Sequence, residues 1–351
     1  MKTISYGIGV LSLMIAGAAA AQQGGDWSKD QRALIVTASN TASNQLLVYS
    51  PNGTLLKQIP TQGQGGVSGN SGGIAQNRDR LAAVNFGSGD VAIFAKDTLH
   101  ADLRFERVIP ALASPVSVAF GHSHLYILTT THVESHRIDS GGVSAAADGS
   151  AELLLADGSA AQVGTLPDQL IISEKNNAIE TVNLDGRGAV VGKAALVADI
   201  PANVNAPFGL ATRGNDAYVT IAHANEISLV RNDAVLKVTG SGTQNAPCWV
   251  ALDGPFLFSA NSPSRSVSRY AVYGQQIIQD AAVVATFTGN PTDIAYRAGL
   301  AAVIDANGAV SHVSVFGVDE DGNFGLKGLA TINNAATNGV AIVRSDDRID
   351  Y

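Results

Sequence analysis

Pro207-Phe208-Gly209-Leu210-Ala211 and Pro247-Cys248-Trp249-Val250-Ala251 are two copies of one phrase. A small or Pro-bearing turn leads through two variable residues to an aliphatic anchor, usually followed by Ala. Further copies read Ser71-Gly72-Gly73-Ile74-Ala75, Pro115-Val116-Ser117-Val118-Ala119 and Pro291-Thr292-Asp293-Ile294-Ala295. Weaker ones are Ala160-Ala161-Gln162-Val163-Gly164 and Thr337-Asn338-Gly339-Val340-Ala341. The seven anchors, Ile74, Val118, Val163, Leu210, Val250, Ile294 and Val340, follow one another at 40 to 47 residues. A period of about 40–50 residues made of short strands marks a β-propeller with one blade per repeat.

Working outward from each anchor, a turn leads to a short, continuous apolar run at 80–85, 125–129, 169–173, 217–220, 256–260 and 301–304. Such runs fit strands buried on both faces. Third strands are expected at 91–94, 133–138, 179–184, 227–230, 266–272 and 311–316. Several alternate, as in Ser311-His312-Val313-Ser314-Val315-Phe316, which gives one buried and one wetter face. The N-terminal part supplies strands at 33–37, 46–49 and 54–59 with no first strand before them. The C-terminal part supplies a lone first strand at 339–344. The fold class is therefore all-β: a seven-bladed β-propeller of four-stranded blades, its ring closed by N- and C-terminal strands in one composite blade. The expected domains are a signal peptide at 1–21, a loose lead at 22–31 and a single propeller over 32–351.

The start reads as a targeting segment. Met1-Lys2 is followed by an apolar stretch over 4–15, and Ala18-Ala19-Ala20-Ala21 offers small-residue cleavage sites. The apolar stretch falls short of the roughly 20 residues a bilayer span takes. Export to the periplasm or medium is expected, with no membrane insertion after cleavage. Lys and Arg total 22 against 30 Asp and Glu, a formal net charge of −8 without any basic cluster. That balance argues against nucleic acid as a partner. One cysteine, Cys248, excludes an internal disulfide and a Cys-rich metal site. No cofactor and no metal are expected.

In a propeller, the start of each innermost strand and the end of each second strand lie on one face, around the channel. The second strands end at Asn85, Thr129, Glu174, Ile221, Asn261 and Asp305. The innermost strands start near Asn70, Ser117, Phe208, Trp249, Asp293 and Asn338. Glu174, Asp293 and Asp305 are the candidate catalytic acid–base groups of this ring, since paired carboxylates can split their pKa values. Asn85, Trp249, Asn261 and His223 are candidate ligand-binding residues, suited to hydroxyls and to the apolar face of a small ring. Asn and Asp are also favoured in such turns because they bond nearby backbone. Gly69-Asn70-Ser71-Gly72-Gly73 matches G-x-S-x-G in letters only, because no helix follows. His132 and His136 share one strand face, where ordinary surface histidines are the default reading and a metal pair the alternative.

Asn245-Ala246-Pro247-Cys248-Trp249-Val250-Ala251 followed by Phe256-Leu257-Phe258-Ser259-Ala260-Asn261 resembles the exported branch of the seven-bladed lactonase-like propellers. So does Leu81-Ala82-Ala83-Val84-Asn85 with Gly87-Ser88-Gly89-Asp90-Val91-Ala92-Ile93-Phe94. That group includes 6-phosphogluconolactonases and fungal-type carboxymuconate lactonising enzymes. The resemblance implies a central cleft acting on a lactone or acidic sugar derivative. The family pattern carries an Arg-His pair at the start of one blade and an Asn-Glu pair at the end of its second strand. Here the corresponding positions read Pro207-Phe208-Gly209 and Tyr218-Val219-Thr220-Ile221-Ala222. Two functions follow as expectations. One is a propeller that binds a small polar ligand in its channel and hydrolyses or forms a lactone. The other is a non-catalytic extracytoplasmic module that binds a protein or surface polymer.

Overall fold

A computed structural model of the chain describes residues 33–97, 102–200 and 206–344. The expected targeting segment and N-terminal lead lie outside the described residues. Seven sheets are arranged as blades. Blade 1 takes Asn338–Arg344 as its innermost strand, then Ala33–Ala38, Gln45–Tyr49 and Leu55–Pro60. Thr37 pairs with Val340 and Ala33 with Arg344, so the two ends of the chain are hydrogen-bonded neighbours. The ring closes through this ladder, as the strand count requires.

The other blades run in chain order from inside to outside. They begin at Ile74–Gln76, Pro115–Gly121, Ala160–Thr165, Pro207–Arg213, Pro247–Asp253 and Asn290–Arg297, giving blades 2 to 7. Blade 3 departs from the pattern at its edge. Gly142–Val143 and Gly149–Glu152 both pair with His132–Asp139, and the residues between them bow out. Blade 3 thus carries an irregular outer edge where the other blades have a single fourth strand. His136 Nδ1 meets the Ser144 carbonyl at 3.0 Å, and Asp148 meets both Ser135 Oγ and His124 Nε2, holding the bow in place.

The repeated phrase has a specific backbone consequence. In blades 3, 4, 6 and 7 the ladder between innermost and second strand is irregular at the same point: between Pro115 and Ser117, Ala160 and Gln162, Pro247 and Trp249, and Pro291 and Asp293. In blade 5 the irregularity spans Pro207 to Leu210. Pro donates no ladder hydrogen bond, and a bulge beside it re-aims the next side chain. The residue just before each anchor is the one affected.

All seven anchors are buried. The apolar core is radial: side chains of adjacent blades interleave, as Ile35, Leu47 and Ile342 of blade 1 do with Ile304, Val313 and Val315 of blade 7. Each sheet buries both faces, which explains the continuous apolar runs. Among the described residues no helix is long and apolar enough to cross a membrane.

Candidate functional site

The residues preceding the seven anchors are Gly73, Ser117, Gln162, Gly209, Trp249, Asp293 and Gly339. Together they form a belt round the channel. Ser117 Oγ accepts the N–H of Val163, the anchor of the next blade, at 3.3 Å. Gln162 Oε1 accepts the N–H of Leu210 at 2.6 Å. Asp293 accepts its own anchor's N–H, from Ile294, at 2.8 Å and that of Val340 in blade 1 at 3.1 Å. Where the belt has glycine, the neighbouring blade fills the space. A β-carbon on Gly209 would run into the Cys248 carbonyl, and one on Gly339 would lie 2.7 Å from Ile74. Gly339 also has φ +72°, a conformation that favours glycine.

The glycine-rich loop 62–73, between blades 1 and 2, crosses this end of the channel. Val67 is buried with Val116 and Val118. The Gly69 carbonyl accepts Lys175 Nζ of blade 4 at 2.7 Å, and the Asn70 carbonyl accepts Trp249 Nε1 of blade 6 at 3.1 Å. Ser71 N–H donates to Ala161 O, and Asn70 Nδ2 donates to Val116 O. Asn338 Nδ2 returns a bond to Asn70 Oδ1 at 2.8 Å. One loop is thus tied to blades 1, 3, 4 and 6. Trp249 itself is only 8 % exposed, with its ring edge-on to Phe208 at 5.3 Å.

The second-strand ends are buried deeper still. Asn85, Thr129, Glu174, Ile221, Asn261 and Asp305 are each no more than 1 % exposed. Asn85, Glu174 and Asp305 bond the linkers between blades, Thr129 the turn within blade 3, and Asn261 the serines of its own blade. Asp305 Oδ2 accepts Gly289 N–H at 2.8 Å and meets His312 Nδ1 at 3.1 Å. Asn261 Nδ2 donates to Ser266 and Ser268, while Asn261 Oδ1 accepts Ser259 Oγ. Asn85 Oδ1 accepts Asn44 Nδ2 and Thr61 Oγ1, and its amide donates to Asp90. His223 lies apart from these, exposed in the 3-10 turn Ala222–Ala224.

Burial raises three carboxyls at this end, Asp293, Glu174 and Glu180. Burial pushes Asp293 up to about 7 against the pull of its two backbone N–H bonds. Burial pushes Glu174 up to about 8; the Ser159 hydroxyl opposes this, and Glu180 and Asp157 add to it. Ser159 donates to Glu174 Oε2 at 2.6 Å, whereas Glu174 Oε1 has no partner among the described residues. Burial also raises the Cys248 thiol to about 12, which leaves it a poor nucleophile at neutral pH.

The sequence ring therefore resolves into separate microenvironments. Asp293 lies in the inner belt, Glu174 beneath the linker into blade 4, and Asp305 beneath the linker into blade 7. Several polar groups that organise this end were missed by the pattern of strand starts and ends. Gln162 and Lys175 are two. Glu134 and Glu180, on third strands, are the others: they accept Leu112 N–H, and Leu154 and Leu155 N–H, respectively. A charged residue inside the apolar run Ile179-Glu180-Thr181-Val182 was the available signal. Among the described residues no group of three or more His, Cys, Asp or Glu side chains could hold a metal ion.

No family model matches the chain, and no curated protein matches it. Solved structures do. A 6-phosphogluconolactonase candidate from Bacteroides uniformis superposes with a TM-score of 0.64 at 16% identity, covering 90% of this chain and 100% of that one. The periplasmic gluconolactonase of Pseudomonas aeruginosa gives 0.62 at 15% identity, over 90% of this chain and 99% of that one. A streptogramin B lyase gives 0.57 at 15% identity, over 79% and 91%. The chain has the fold of the lactonase-like seven-bladed propellers.

Proposed function

We propose that this protein is an exported propeller that works as a binding module for a surface polymer, built on lactonase-like architecture without lactonase chemistry. One observation carries the reading: loop 62–73 is bonded across the channel end to four blades, over a belt whose polar groups already hold backbone N–H groups. A hydrolase needs an acid–base pair free to face substrate. Asp293 and Asp305 instead accept backbone N–H bonds, and the charged family pattern is replaced by Pro207-Phe208-Gly209 and Tyr218 to Ala222. Export is supported by the targeting pattern over 1–21 and by the periplasmic location of one structural neighbour.

Glu174 supports a second reading, lactone hydrolysis. It has an oxygen without a partner, holds its proton near neutral pH and stands next to Lys175. A carboxylic acid kept protonated is the form a general acid needs. A panel of aldonolactones incubated with the purified protein separates the two. The binding-module reading expects acid release at the spontaneous rate. Saturable release that Glu174→Gln abolishes would replace it with the hydrolase.

A further inference from the structure

At the end of blade 1, on the side where loop 62–73 leaves it, a groove of about 380 Å³ opens between the turn after Ala33–Ala38 and the end of the outer strand. Its lining includes Ser43, Asn44, Gln45, Pro60, Gln62 and Gln64. Not one lining side chain is charged. The carboxamides of Gln45, Gln62 and Gln64 have no hydrogen-bond partner among the described residues, and Gln62, Gln64, Ser43 and Pro60 are exposed. This contrasts with Asn40, Asn44, Asn70, Asn85 and Asn261 nearby or round the channel, whose amides are all engaged.

We propose that this groove binds a neutral saccharide unit. The proposal rests on the binding-module reading and gives its polymer a chemistry. A carboxamide donates and accepts at once, as a sugar hydroxyl does, and two or three of them in one groove can address neighbouring hydroxyls together. An anionic ligand would want Lys or Arg, and a cationic one Asp or Glu; neither lines the groove. The Pro60 ring offers a small apolar surface for the C–H side of a sugar. The volume sits at the lower end of small-molecule sites, about 300–1,000 Å³.

The groove is also rigidly founded. Asn44 Oδ1 accepts the N–H of Asn40 at 2.8 Å and of Gln45 at 3.0 Å, and its amide donates to Asn85 at 2.9 Å. Thr61 Oγ1 donates to Asn85 at 2.7 Å, and Asn44 N–H donates to Gly63 O at 3.0 Å. A β-carbon at Gly63 would collide with the Asn85 side chain, so the loop sits directly on it. Asn85, a candidate ligand residue in the sequence, supports the groove from below. A floor fixed before binding lowers the ordering cost of weak polar recognition.

The test is a titration of the full mature chain with maltotetraose, cellotetraose, xylotetraose and chitotetraose, followed by backbone and carboxamide amide shifts. At least one should give saturable shifts confined to residues 42–45 and 60–64. The double variant Gln62→Gly, Gln64→Ala should weaken that binding about tenfold, two neutral hydrogen bonds' worth, with the thermal midpoint unchanged. Gly is chosen at position 62 because φ there is +61°. Absence of saturable shifts with every oligosaccharide, shifts centred elsewhere, or undiminished affinity in the double variant would each overturn the groove. None of these outcomes touches the binding-module reading, which falls instead on lactone hydrolysis.

Discussion

At the channel end, Ser117, Gln162 and Asp293 each hold the anchor N–H of the next blade, while at the rim of blade 1 three glutamine carboxamides hold nothing. Both regions are polar and both lie at loop ends. The difference is what surrounds them. Innermost strands of seven blades converge on the axis, so a polar side chain there meets buried backbone that must be satisfied. At the rim the blades diverge, water replaces the neighbouring blade, and side chains remain available. Most polar groups of this ring bond to its own backbone, with Glu174 Oε1 the exception, while the rim of blade 1 leaves whole carboxamides unbonded.

The largest expected effect tests closure itself. Removing residues 338–351 takes away the innermost strand of blade 1 and exposes the ladder edge of Ala33–Ala38 with its buried Ile35 and Val36. Cooperative thermal unfolding should be lost, because an unpaired strand edge and an open apolar wedge remain. A truncated chain that melts at the parent midpoint would break the comparison at its root.

Next in size is Trp249→Ala. The ring packs with Phe208 and Ile294 in the core cluster, and its Nε1–H satisfies the Asn70 carbonyl. Its removal should cost about 3–5 kcal/mol in denaturant unfolding, in the range of aromatic-to-alanine core changes. A cost below about 1 kcal/mol would mark Trp249 as a rim-like residue available to ligand.

A smaller effect is set by pH. Asp293 moves from its ordinary 3.8 to about 7, and Glu174 from 4.5 to about 8. The folded ring therefore keeps protons that the unfolded chain releases earlier. Their contribution to stability is full below about pH 4 and is lost as pH rises through 7 to 8. Denaturant midpoints of the wild type should fall over that window, and Glu174→Gln should show a shallower fall. Parallel pH profiles for variant and wild type would show that Glu174 is not the buried acid its surroundings imply.

The smallest effect sharpens the other side. Gln62→Gly with Gln64→Ala removes two exposed carboxamides that stabilise nothing, and unfolding free energy should stay within about 0.5 kcal/mol. A larger loss would mean that the rim, like the belt, is structural.

Much of this was readable in advance. The phrase around Ile74, Val118, Leu210, Val250 and Ile294 gave blade number and phase because a blade's innermost strand always buries an aliphatic at the same place. The run 80–85 appears as the strand Arg80–Asn85, and 339–344 falls inside Asn338–Arg344. The site was less legible. Grouping Glu174, Asp293 and Asp305 in one ring followed from blade geometry, but which donor meets which oxygen depends on the packed chain: Ser159 for Glu174, Gly289 for Asp305 and, in the next blade, Val340 for Asp293.

By itself, the sequence determined the all-β class, the seven repeats and the shared closing blade. Those depend on side-chain period and on apolar residues that every blade must bury. Only the tertiary structure decided that the residue before each anchor faces its neighbour blade, that loop 62–73 crosses the channel, and that Asn85 lies under a groove. A polar side chain's role is fixed by whichever donor or acceptor, or water, the packed ring places within about 3 Å of it.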